Sequence, residues 1–109
     1  MTHDEFVAAK REELAGVARK MLSGEMKLIE GIRLICSLRN LIDDPENDVF
    51  LPIRGIDSET DHFPIGSERS NWTTASLKKM DDEMENYIAD AKDDILRLCR
   101  EILQIFSKH

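Results

Sequence analysis

Apolar residues recur with a helical period near both ends of the chain and lose that period in the middle. Leu14, Val17, Ala18, Met21 and Leu22 fall at i, i+3, i+4, i+7 and i+8, with Phe6 and Val7 two turns earlier, the stripe of an amphipathic helix. Thr2-x-x-Glu5 is a capping-box pattern that can start this helix, and Ser23-Gly24 supplies its end. A second run, Leu28, Ile29, Ile32, Ile35, Cys36, Leu38, Leu41 and Ile42, covers an arc wider than one stripe. It predicts the most buried helix, with neighbours on two sides.

From Thr73 the apolar positions are Leu77, Met80, Met84, Tyr87, Ala91, Ile95, Leu98, Ile102 and Ile105, always three or four residues apart and uninterrupted by Gly or Pro. One helix over 74–107 would be about 50 Å long at 1.5 Å per residue and would overhang its partners. A break near Asp90 into two helices is the alternative. In the continuous form, the exposed seam of Leu77, Met80 and Met84 needs a cover, supplied either by the segment before it or by another chain.

Residues 42–72 are built differently. They hold all three prolines, Pro45, Pro52 and Pro64, together with Val49, Phe50, Leu51, Ile53, Ile56, Phe63, Ile65 and Trp72. That is too much apolar bulk for a solvated tail, so the segment reads as an ordered arm containing a short strand or turn of helix. The fold class is therefore all-α: three main helices, the third long or broken, joined by an ordered acidic 42–72 connecting arm within a single helical domain, 1–109. At 109 residues that is one core's worth of chain.

Charge sharpens the contrast. Of a formal net charge of −7, residues 1–41 carry +1, residues 42–72 carry −6 and residues 73–109 carry −2. The acidity disfavours nucleic acid, whose phosphates it would repel. Cys36 and Cys99 cannot form a disulfide framework or a four-ligand zinc site, which fits a reducing compartment. The N-terminus is acidic where a secretion signal is basic, and no apolar run approaches the roughly 18 residues of a membrane span, so a cytoplasmic chain with no membrane partner is expected.

Candidate chemistry concentrates at Ile56–Gly66. In an extended backbone the alternating Asp57, Glu59 and Asp61 would project to one side, where they could meet a metal ion, a basic partner or backbone amides. Asp57, Glu59, Asp61 and Glu68 take positions 1, 3, 5 and 12 of an EF-hand loop, but His62 stands where the turn needs Gly and Pro64 lies inside it. A transition-metal site at Asp57, Glu59, Asp61 and His62 is the runner-up reading. It rests on one internal histidine, since His3 and His109 are terminal. The cysteines lie on apolar faces and no Ser has a nucleophile elbow, so no catalytic residue and no cofactor is assigned. Asp81, Asp82, Glu83, Glu85, Asp90, Asp93 and Asp94 make an acidic row that is either a solvated helix surface or a recognition face. Trp72, just before the cap at Thr73, is a packing residue if buried and a binding hot spot if exposed beside the acids.

Ile56-Asp57-Ser58-Glu59-Thr60-Asp61-His62-Phe63-Pro64, preceded by Leu28-Ile29-Glu30-Gly31 and followed by Trp72 and Ala75-Ser76-Leu77, resembles a group of small bacterial proteins of unknown function, over about Ala18 to Leu103. That resemblance implies no chemistry. In size, acidity and helical character the chain is also similar to the immunity proteins that bacteria pair with secreted toxins. The expected function is accordingly non-enzymatic: an immunity-type inhibitor that holds a cationic toxin domain, such as a nuclease, through Asp57, Glu59, Asp61, His62, Glu68 and Trp72. The alternatives are the metal-binding enzyme or sensor and a purely structural acidic arm. A homodimer through the third helix is a further expectation.

Overall fold

The first and last helices are set by local signals that the structure uses. A computed structural model describes residues 2–107, so His109 lies outside the described residues. Among them run α1 (His3–Ser23), α2 (Leu28–Leu38), α3 (Phe50–Thr60) and α4 (Thr74–Phe106), with short 3₁₀ turns at Arg39–Leu41 and Gly66–Asn71 and no strand. Thr2 caps α1 by accepting from the Glu5 amide at 3.1 Å. Gly24 ends α1 in the left-handed region at φ 83°, which glycine adopts without steric cost. Thr73 caps α4 through the Ser76 amide at 3.1 Å, and α4 then continues unbroken through Asp90 to Phe106. The broken-helix alternative is excluded.

α2 lies between α1 and α3, as its wide apolar arc required, and buries Ile29, Ile32, Ile35 and Leu38. The rest of the core comes from Leu14, Val17, Ala18 and Met21 of α1, Phe50 and Ile53 of α3, and Ile95, Leu98, Cys99, Ile102 and Phe106 of α4. α1 and α4 are antiparallel: Arg11 stacks over the Phe106 ring at 5.6 Å, while ten residues further along α1 Met21 receives the Cys99 thiol at 3.7 Å. Gly31 allows the close approach of α2 to α1, since a Cβ there would collide with the Met21 side chain.

The arm is the main departure from expectation. Its centre is α3, eleven residues of helix where the sequence predicts a short strand or single turn, so the described residues hold four main helices and not three. Pro52 falls in the first turn, where a missing N–H breaks no helical hydrogen bond, so it does not oppose the helix. Phe50, Ile53 and Thr60 recur on one buried face, and Phe50 stacks on Phe106 with centroids 5.7 Å apart. The helix changes the geometry of the acidic triplet: Asp57 and Asp61 are now one turn apart, and Glu59 points roughly the opposite way.

Candidate binding surface

Arg33 of α2 fixes the end of α3. Its Nη1 donates to Asp57 Oδ1 at 2.7 Å, and its Nη2 donates to the Thr60 carbonyl oxygen at 2.5 Å. A cation at a helix C-terminus satisfies carbonyls that have no helical partner and complements the helix dipole. Thr60 is fully buried and donates back to the Ile56 carbonyl at 2.7 Å. Asp57 is thus part of the clamp that holds α3 on α2.

The remaining predicted residues separate. Glu59 accepts a hydrogen bond from the Tyr87 hydroxyl of α4. Partial burial, reinforced by the Glu59 carboxylate, pushes the Tyr87 phenol up to about 12. Glu68 accepts from the Ile65 amide at 2.7 Å and organises the 3₁₀ turn. Asp61 is exposed with no polar side-chain partner among the described residues, and His62, also exposed, lies against the Phe63 ring at 4.1 Å. Trp72 keeps 40% of its surface exposed, so it is not the buried entry residue of α4. The four residues of the metal reading do not converge: among the described residues, no group of three or more His, Cys, Asp or Glu side chains could hold a metal ion.

Two contacts that sequence reasoning missed tie the arm to α4. Arg69 pairs bidentately with Asp81, both bonds 2.8 Å, and holds its carboxyl below the ordinary carboxylate range. The Tyr87–Glu59 bond is the second, and it has an electrostatic consequence. Glu83, Asp90 and Asp94 lie four, three and seven residues from Tyr87, on the same flank of α4, so this bond draws Glu59 toward a row of α4 carboxylates. Glu83 and Asp90 have no ion-pair partner among the described residues, and Asp94 meets only Arg97, at 3.4 Å.

A different surface lies on the other flank of α4. There, Met84, Ile88 and Ala89 face Leu28 and Ile29 of α2 across a cleft of about 370 Å³. A second cleft of about 430 Å³ continues it past Ile88, Lys92 and Leu96 toward Leu22 and Met26. Both thiols are poorly suited to nucleophilic chemistry: burial pushes Cys36 and Cys99 up to about 11. No helix of the described residues is long and apolar enough to cross a membrane. Comparison with protein-family models, curated proteins and solved structures gives no match.

Proposed function

We propose that this chain is a non-enzymatic binding protein whose acidic face holds a basic protein partner, in its most specific form an immunity-type inhibitor of a cationic toxin domain such as a nuclease. The observation that carries this reading is the Tyr87–Glu59 hydrogen bond, which brings the arm's acidity alongside the α4 row of Glu83, Asp90 and Asp94. Of these carboxylates, Glu59, Glu83 and Asp90 have no ion-pair partner among the described residues, and gathering them costs the free protein repulsion. A basic partner converts that cost into fast, steered association. Asp61 and Trp72 remain exposed and available to such a partner, whereas Asp57 and Glu68 serve the fold.

A second reading, that the arm's acids only build the arm, draws support from those same two residues. Stopped-flow association with the product of the neighbouring gene separates the readings. We expect a Glu59→Gln, Glu83→Gln, Asp90→Asn variant to associate about tenfold more slowly than wild type at about 10 mM ionic strength, and nearly equally at about 1 M, where charges are screened beyond about 3 Å. Equal rates at low salt would remove the acidic face from the contact. A neighbouring product that neither binds this chain nor loses activity in its presence would overturn the inhibitor reading.

A further inference from the structure

The apolar flank of α4 is independent of the acidic face and points to a different partner. Although residues 74–94 of α4 keep the apolar period of the rest of the helix, none of them is buried. Leu22, Met26, Leu28, Met84, Ile88 and Leu96 all remain partly exposed along the two connected clefts. From Asp81 to Leu96 this flank extends about 22 Å at 1.5 Å per residue, room for about four turns of a docked helix.

The charge pattern selects the occupant. Glu85 and Lys92 are both exposed, neither has an ion-pair partner among the described residues, and they stand seven residues apart on one stripe of α4. Midway between them are Ile88 and Ala89. A twofold axis passing between Ile88 and Ala89 would set Glu85 of each copy against Lys92 of the other, giving two ion pairs from one symmetric contact. The same axis sets Ile88 against Ala89, whose small side chain permits close helix approach at the crossing. The stripe is therefore complementary to itself in charge and in bulk.

We propose that this flank is a homodimer interface in which α4 of one copy lies antiparallel against α4 of a second, with Glu85 of each copy paired to Lys92 of the other. The partner helix fills both clefts, covering Leu28 and Met84 on one side of the axis and Met26 and Leu96 on the other. Methionine on such a surface adapts its shape to the incoming helix.

Sedimentation equilibrium with charge exchange tests the register. We expect wild type to be dimeric at high micromolar concentration. Glu85→Lys and Lys92→Glu should each raise the dimer dissociation constant about tenfold or more, because each sets like charges face to face. The double variant should return it to within about threefold of wild type, a rescue that only the antiparallel pairing produces. Both side chains are exposed, so circular dichroism of every variant should match wild type. A wild type that stays monomeric throughout, single variants that dimerise as wild type does, or a double variant no better than the singles would each overturn the proposal. A monomer whose flank takes up a different protein is among the overturning outcomes.

Discussion

The two parts of α4 carry the same apolar period and have different fates. Within 95–106, Ile95, Leu98, Cys99, Ile102 and Phe106 are buried against the other helices. Within 74–94, Leu77, Met80, Met84, Tyr87, Ile88 and Ala91 reach only partial burial, and the arm touches that stretch through Arg69–Asp81 and Tyr87–Glu59. Helical periodicity therefore reports that a face will be covered and leaves open what covers it. In the C-terminal part the cover is the chain's own core. In the N-terminal part it is incomplete, with the arm on one flank and an open cleft on the other.

The largest test of this contrast is truncation at one position in each part. Ile102→Ala removes a fully buried side chain and should cost about 2–5 kcal/mol in urea unfolding. Met84→Ala, at a partly exposed position, should cost less than about 1 kcal/mol in the monomer. Comparable losses at the two sites would mean that the N-terminal part is packed as tightly as the C-terminal part, and the open cleft would have no meaning.

A smaller effect probes the arm's grip on α4. Tyr87 titrates at about 12, against an ordinary 10.0, so the folded protein retains a proton that the unfolded chain gives up earlier. The stability owed to keeping this phenol protonated, through its burial first and its bond to Glu59 second, is complete below pH 10 and is lost as the pH rises toward 12. Unfolding of wild type and Tyr87→Phe, compared at pH 9 and pH 11, should show a steeper alkaline decline in wild type. Both proteins share the titration of Cys36 and Cys99, which cancels in the comparison. Identical declines would mean that the Tyr87 phenol is not held in its partly buried position against Glu59.

What the sequence discloses follows the range of each interaction. The capped starts at Thr2 and Thr73, the Gly24 stop and the period of α4 act within a few residues, and all are legible. α3 is hidden because Pro52 and Gly55 resemble breaks. The first turn in fact tolerates Pro52, and burial of Phe50 and Ile53 outweighs the cost of Gly55. The acidity of the arm is legible as charge, but the partner of each carboxylate is not. Arg33 is 24 residues from Asp57, and Tyr87 is 28 from Glu59, distances over which composition carries no pairing information. An extended reading placed Asp57, Glu59 and Asp61 together, and the helix separates their roles into clamp, tether and free surface. The seven-residue spacing of Glu85 and Lys92 is visible in the chain, but only the clefts beside Ile88 give it a use.

Hydrogen exchange along α4 tests the central claim, that one part of this helix holds the fold while the other is a contact surface awaiting its partner. In dilute, monomeric protein the amides of 95–106 should exchange only through global unfolding and those of 78–92 faster, through local opening; as concentration rises and copies associate, the amides of 78–92 should gain the larger protection and close that gap. Equal, concentration-independent protection along the whole of α4 would contradict it.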